Sequence, residues 1–495
     1  MTGIRPVLGR MFTPVRLDDP TPTSLTRGGS LAVTGLLAQG VLRFATSWLV
    51  GRLAGQAELG VVASAIAAAT ILALLWPTST GSAASKFLAR ARGAGSVDQA
   101  RAVAAHLRRR MLLAVLVLAA AAIPVWVYLD GGSLTGALAV ALLTIGYSGY
   151  SFTRGVQFGT GQTLRATSWD VLCVALGLVT LTLMLLSGVR GVALVLPLAV
   201  AYGVYAVAGW PFGGGGKPEP ARRREMDGFV ALGAVGSLAS AGFLQLSQIV
   251  TRLVSGDEGA GEYAAAVALA TPASMLAVSL SLVLLPALSE TLGRADEAAF
   301  RARTDQANRS LAVVVVAVFG SIVLCSRLLI RVVWGDTYAG AAPILAVLAV
   351  AVLCTTLGVV AVNAMTARSQ RGMAINVAAS LTGLVVGAAV WAVVAPSSGG
   401  IGVATGYLAG TLVIAAIPIG YVWRTSRQRW ARLYLRIAAA VVVLAVLYDA
   451  QDRFGLPLGL DVVAALVFLI GWIALNRRDA ARLPWPGRSG RSGGS

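Results

Sequence analysis

Residues 86–132 read KFLARARGAGSVDQARAVAAHLRRR (Lys86–Arg110), then MLLAVLVLAAAAIPVWVYL (Met111–Leu129), then DGG (Asp130–Gly132). A basic segment gives way to an unbroken apolar run, which ends in a short turn. The run is long enough for a helix to cross a hydrocarbon core of about 30 Å. The same pattern recurs along the chain. Other basic segments are Met1–Arg27, Arg154–Arg165, Lys217–Arg224, Arg294–Arg309, Arg368–Arg371, Arg424–Arg436 and Arg477–Arg491. The connections on alternate sides are short and neutral or acidic, such as Asp257-Glu258-Gly259, with Arg52 and Arg190 as the main exceptions.

Working outward from this stretch, apolar spans are expected near 29–51, 58–77, 111–129, 134–152, 168–188, 191–209, 229–254, 263–287, 310–334, 342–366, 373–395, 399–423, 434–448 and 459–476. The thirteenth is short, and Arg436 within it has to snorkel to a boundary. Backbone groups in hydrocarbon must be satisfied within their own segment, so the runs are expected to be packed helices. A transmembrane β-barrel would show alternating rather than continuous apolar residues. The fold class is therefore an all-α polytopic membrane protein with about fourteen transmembrane helices. Because basic loops stay on the cytoplasmic side, the alternation places the chain in a bacterial plasma (inner) membrane with both termini cytoplasmic.

A composition of 57% hydrophobic and 12% charged residues excludes an ordinary soluble domain. A net charge of +19 would suggest nucleic acid in a soluble protein. Here the arginines fall in loops that face anionic membrane lipids, and no nucleic-acid-binding module is present. Cys173, Cys325 and Cys354 all fall within expected spans, and His106 is the only histidine. That leaves no metal-ligand spacing and no catalytic constellation; no cofactor is implied, and the chain does not read as an enzyme. The apolar run after the first 28 residues is too long for a signal-peptide core and reads as the first span. The Gly, Ser and Arg tail at Gly487–Ser495 reads as disordered.

The spans form two groups of six and a final pair. The expected organisation is a cytoplasmic segment 1–28, a six-helix bundle 29–210, a linker 211–228, a second bundle 229–424, a final helix pair 425–476 and a cytoplasmic tail 477–495. The linker is marked by Gly213–Gly216, Lys217 and Arg222–Arg224. The groups resemble copies: Ser47-Trp48-Leu49-Val50-Gly51-Arg52-Leu53 matches Ser247-Gln248-Ile249-Val250-Thr251-Arg252-Leu253. The second and eighth spans then end in Trp76-Pro77 and Leu285-Pro286. An even number of spans per copy gives both the same orientation, with a substrate site expected near the midplane between them. Chance similarity of apolar sequence is the competing explanation.

Charge inside a membrane usually faces a cavity or a partner. In the first span Gln39, Arg43 and Ser47 recur every four residues and share a helix face. Arg43 lies well inside the span and reads as a cation lining a substrate cavity; snorkelling or a tie to a neighbouring helix is the alternative. Gln245, Gln248 and Arg252 share a face of the seventh span, with Arg252 matching Arg52 at an outer mouth. Asn363 on the tenth span suits either substrate binding or a bond between helices. The candidate substrate-binding residues are thus Arg43, Gln39, Arg252, Gln248 and Asn363. No acid is expected deep in a span, since Asp170 and Asp461 lie near ends and Glu58 and Glu262 at boundaries. Arginine and amides without carboxylates suit phosphate or pyrophosphate better than an organic cation.

Several stretches carry a family resemblance: Arg52-Leu53-Ala54-Gly55-Gln56-Ala57-Glu58-Leu59-Gly60, Gly261-Glu262-Tyr263-Ala264-Ala265-Ala266, Leu284-Leu285-Pro286-Ala287-Leu288-Ser289 and Trp334-Gly335-Asp336-Thr337-Tyr338. In this order they resemble the polysaccharide-transporter branch, including O-antigen-type flippases, of the multidrug/oligosaccharidyl-lipid/polysaccharide exporter superfamily. The resemblance covers residues 29–424. It implies two six-helix bundles around a cavity lined by the first, second, seventh and eighth spans. It further implies alternating access, with a polyprenyl-pyrophosphate-linked oligosaccharide as cargo and glycosyltransferases or a polymerase of the same pathway as partners. The final pair is similar to that of fourteen-span lipid II flippases. That branch carries an acid early in the second span, whereas here Glu58 precedes Leu59-Gly60-Val61, which disfavours lipid II. A multidrug exporter, a lipid II flippase and a membrane glycosyltransferase or polymerase are the alternatives. The external loops are too short for the latter. No Walker motif is present, so direct nucleotide drive is not expected.

Overall fold

The computed structural model describes residues 17, 25–272, 281, 284, 288, 290–292, 294 and 296–480. These are helical, with short turns and no strand among the described residues. In order, α1 is Leu25–Leu53, α2 Gln56–Leu75, α3 Pro77–Gly93, α4 Val97–Leu129, α5 Leu134–Gly159, α6 Thr163–Leu186 and, after a 3-10 turn at Gly191–Val195, α7 Leu196–Ala208. Then come α8 Pro220–Ala270, α9 Glu297–Leu324, α10 Ser326–Val333, α11 Ala341–Arg368, α12 Gln370–Thr425, α13 Ala431–Arg453, α14 Leu458–Leu475 and α15 Arg477–Ala480. Twelve helical stretches among the described residues are long and apolar enough to cross a membrane.

Two of these, α8 and α12, are each broken by one glycine. Gly256 has φ 68° and Gly399 φ 55°, values that L side chains rarely adopt. Each break makes a helical hairpin whose turn is essentially one residue. Across the first, Gln248 Nε2 donates to Ala260 O (2.9 Å) and Tyr263 Oη to Ser247 Oγ (2.8 Å). Across the second, Trp391 Nε1 donates to Val403 O (2.8 Å). Counting both arms of each hairpin brings the segments into register with the fourteen expected spans. The eighth span is described only in part, and Pro286 lies outside the described residues.

The basic stretch after α2 differs from the expected loop. The helix stops at Leu75, and a new one starts with Pro77 at its first position, where its missing N–H costs nothing. The Ser, Thr and Ala residues of α3 bury one face against α4, α5 and the start of α8. Phe87, Leu88, Val103, Leu107, Met111, Phe152, Val156 and Met226 form its core. Arg154 and Arg165 are likewise not loop charges. Arg154 lies on α5, and Arg165 is buried at the start of α6 with Nη2 donating to Ala208 O (2.7 Å).

The chain forms two compact units, one spanning Met1–Met275 with Ala388–Tyr407 and the other Leu276–Gly387 with Leu408–Ser495. In the first, α1 packs on α6, α5 on α7, and α2 on α8. The Ala-rich α2 meets the second arm of α8 at Gly60 and Gly261, where any Cβ would strike opposing backbone. Small residues allow this close approach, and dispersion along it replaces the hydrophobic drive that lipid cannot supply.

In the second unit α9 carries both α11 and the final pair, α13–α14. Phe468 lies directly on Gly320, and Trp472 Nε1 donates to Val313 O (3.0 Å). Trp430 Nε1 donates to Asp305 Oδ1 (3.0 Å) and Tyr434 Oη to Asn308 Oδ1 (3.3 Å) near one end. At the other, Arg327 donates to Gln451 O and Leu456 O (2.7 Å each), satisfying carbonyls at and just beyond the end of α13. Arg436 donates to Asn476 Oδ1 (3.3 Å) at the end of α14. Overpacking costs about 1–3 kcal/mol. We therefore expect Gly320→Leu to lower the apparent Tm by several degrees in a detergent thermal scan, and Gly471→Leu, where nothing lies within 4 Å, to leave it unchanged. Equal effects would show that the Phe468 contact does not hold the final pair.

Candidate functional site

Four helices of the first unit turn polar side chains toward one another. From α1 come Gln39 and Arg43, one turn apart; from α5, Tyr147, Tyr150 and Arg154 at helical spacing; from α6, Asp170; from α7, Tyr202 and Tyr205. Asp170 is the hub. Its Oδ1 accepts from Tyr150 Oη (3.0 Å) and Gln39 Nε2 (3.3 Å), and its Oδ2 from Arg154 Nε (3.1 Å). Gly35 makes room for it, since a Cβ there would collide with Asp170 Oδ2.

This corrects the expectation that no acid lies deep in a span. Asp170 sits two turns into α6 and is fully buried. Counting residues from the end of the span makes it a boundary charge, but neighbouring helices close over it. Burying a lone carboxylate costs several kcal/mol; a guanidinium and two neutral donors offset that cost.

From the hub the network runs outward. Gln39 Oε1 accepts from Tyr202 Oη (3.3 Å), while Arg43 Nη2 donates to Tyr147 Oη (3.0 Å). The Arg43 guanidinium lies 5.7 Å from the centroid of the Tyr147 ring. Tyr150 packs 4.8 Å from both Tyr202 and Tyr205, centroid to centroid. Arg43 lies beside the Tyr147 ring and keeps an exposed surface. Arg154 is paired with Asp170, whereas no carboxylate pairs with Arg43 among the described residues. The cluster therefore presents one positive charge without a carboxylate partner on an exposed side chain beside the half-buried Tyr147, while Tyr150, Tyr202 and Tyr205 are buried behind it. Chemically it suits an anion that accepts several hydrogen bonds next to a ring-shaped, hydroxylated group.

The other candidates lie elsewhere. Arg252 donates to Asp130 Oδ1 (2.8 Å) and Asp257 Oδ1 (2.6 Å), with its guanidinium 4.9 Å from the Trp126 centroid. It ties the α4–α5 turn to the Gly256 hairpin. Gln248 is buried and spent on Ala260 O within that hairpin. Asn363, in the second unit, donates to Ser281 Oγ and Val359 O (2.9 Å each). Only Gln39 and Arg43 share a cluster. Sequence reasoning missed Tyr147, Tyr150, Arg154, Asp170 and Tyr202, although the i, i+3, i+7 spacing of the three α5 residues marks one helix face.

Removing one partner of a buried ion pair costs about 3–5 kcal/mol because the other charge is stranded. We expect Asp170→Ala to lower the apparent Tm sharply and Asp170→Asn combined with Arg154→Gln to recover part of the loss, both read by thermal unfolding in detergent. Additive losses in the double variant would show that the pair is not coupled.

Comparison with known proteins supplies the rest. A family model described as "Polysaccharide biosynthesis protein" matches residues 25–292, and one described as "Lipid II flippase MurJ" matches residues 171–451. A comparison with curated protein sequences finds no match. Among solved structures, the lipid II flippase MurJ in an inward closed conformation is similar with a TM-score of 0.68 and 12% identity, over 91% of this chain and 99% of that one. A multidrug resistance MATE family transporter in an inward-facing conformation is similar with a TM-score of 0.59 and 18% identity, over 85% of this chain and 96% of that one. A MOP superfamily transporter from Pyrococcus furiosus, whose binding pocket is described as having reverse polarity, gives 0.59 and 16%, over 84% and 96%. At these identities the structures establish the shared fold. With each family model matching more than half of this chain, the chain belongs to the polysaccharide biosynthesis and lipid II flippase families, as a multi-pass membrane flippase.

Proposed function

We propose that this protein carries a polyprenyl-pyrophosphate-linked oligosaccharide, or a related lipid-linked glycan precursor, from the inner to the outer leaflet by alternating access. The observation that carries the reading is Arg43: a guanidinium inside the membrane-spanning region, unpaired by any acid among the described residues, at the open edge of a tyrosine cluster. A pyrophosphate would meet the guanidinium, and the first sugar the half-buried Tyr147 ring and hydroxyl. The protein works in a bacterial plasma membrane with its arginine-rich ends cytoplasmic, and its two six-helix repeats alternate around the cargo. It makes and breaks no covalent bond; glycosyltransferases or a polymerase of the same pathway supply and consume the cargo.

An inside-negative potential favours outward movement of negative charge by about 2.3 kcal/mol per charge per 100 mV, which assists export of a pyrophosphate. The competing reading is a multidrug exporter of the same superfamily. Asp170 removes the simplest objection to it, since a buried carboxylate does exist. That carboxylate is committed to Arg154, Tyr150 and Gln39, however, and faces no cationic cargo.

A charge-assisted hydrogen bond contributes about 1.5–3 kcal/mol, so losing one weakens binding roughly 10- to 100-fold. In liposomes carrying a fluorescent polyprenyl-pyrophosphate oligosaccharide, leaflet transfer should require the protein. It should fall by about that factor in Arg43→Ala and less in Arg43→Lys. Transfer no faster than in empty liposomes would rule out this cargo. The sidedness has its own test. A cysteine at the exposed Gly215 should be labelled by an impermeant thiol reagent only from the cytoplasm, and one at the exposed Glu258 only from outside. The reverse pattern would invert the topology.

A further inference from the structure

At the arginine-rich end of the first unit, a cleft of about 450 Å³ lies between α4 and the first turns of α8. Four of its walls are guanidinium groups, those of Arg109, Arg110, Arg223 and Arg224. The cleft contains one carboxylate, Asp227, which is already engaged. It takes His106 Nε2 at 3.0 Å and Arg110 Nη2 at 2.9 Å. Arg109, Arg223 and Arg224 form no ion pair among the described residues, and Arg223 Nε is buried without a hydrogen-bond partner. The start of α8 adds to the positive field. Its cap residue Glu219 makes no side-chain cap bond, so the first N–H groups of a long helix remain available beside Pro220.

The same cleft opens onto an apolar surface. Leu113 forms part of its wall and is exposed. One turn further into the apolar part of α4, Leu116 and Val117 are each 67% exposed. Leu112 is exposed beside them. A ligand here therefore meets concentrated positive charge at one end and bare hydrocarbon-facing side chains at the other. Neither a free anion nor a neutral lipid uses both.

We propose that this cleft binds the phosphodiester headgroup of an anionic phospholipid, with its acyl chains lying along the Leu112–Val117 face of α4. Basic clefts between membrane helices are suited to such headgroups, and each cation near an anionic surface contributes about 1 kcal/mol. The site is separate from the Arg43 cluster and does not depend on what the protein transports. Arg109, Arg223 and Arg224 hold the phosphate, while Asp227 keeps His106 and Arg110 oriented at the rim.

The test uses the full-length protein in a neutral detergent, with the apparent Tm read as phosphatidylglycerol, phosphatidylcholine or inorganic phosphate is titrated. Phosphatidylglycerol should raise the Tm by several degrees, phosphatidylcholine should not, and inorganic phosphate at the same concentration should give little or no shift. The Arg109→Ser, Arg223→Ser, Arg224→Ser triple variant should lose the phosphatidylglycerol shift. If that variant does not fold, Arg224→Gln alone should move the half-saturating lipid concentration several-fold upward. An equal shift with phosphatidylcholine, an equal shift with inorganic phosphate, or an undiminished response in the variants would each overturn the proposal.

Discussion

A carboxylate removed from water has to be answered by protein donors, and Asp170 is answered by three side chains from two other helices. Gln39 reaches it from α1, Tyr150 and Arg154 from α5, while Tyr202 on α7 secures Gln39 from behind. Hydrophobic burial cannot set helix positions here, because lipid is as apolar as a leucine core. Directional polar bonds and close backbone contacts at small residues take over that task. The hub fixes the rotation of α1, and that rotation sets Arg43 beside Tyr147 of α5 with part of its surface exposed. The candidate cargo site therefore depends on a charge that never meets the cargo.

The two arginines of the cluster illustrate how environment separates roles. Arg154 is paired with Asp170 and lies over the Phe158 ring, so its charge stabilises the bundle. Arg43 has a hydroxyl and a ring for company, which orient it without cancelling its charge. An anion approaching the cluster feels the second and not the first. The same division appears at Arg252, whose charge is shared between two aspartates and a tryptophan face and so acts as a clamp between turns.

Much of the architecture was legible in the sequence. The length and continuity of the apolar runs determine helices long and apolar enough to cross a membrane. Three features were not legible, for physical reasons. The α3 helix reads as a loop because Ser, Thr, Lys and Pro dominate its start, and only contact with α4 and α5 selects the helical state. Asp170 reads as a boundary charge because its partners are 16, 20 and 131 residues away in sequence. Gln248 reads as cavity-lining because the pattern places it on a polar face, whereas the break at Gly256 folds the chain back and offers it Ala260 O. Arg43 was recognisable because charge placed well inside an apolar run has few innocent explanations.

The single-residue turns at Gly256 and Gly399 have a further consequence. A helical hairpin closed by one residue has no slack, and its arms are already bonded across the break. Extra residues placed there have no path around the bend without breaking those bonds. On the arginine-rich side, by contrast, the connection from Gly209 to Glu219 carries several exposed residues and open space around Gly213 and Gly215. Insertions are tolerated where backbone is exposed and lightly bonded. The protein is therefore asymmetric in its capacity for elaboration: epitope tags, fused domains or lineage-specific extensions can be accommodated between α7 and α8, while the hairpin tips are closed to them.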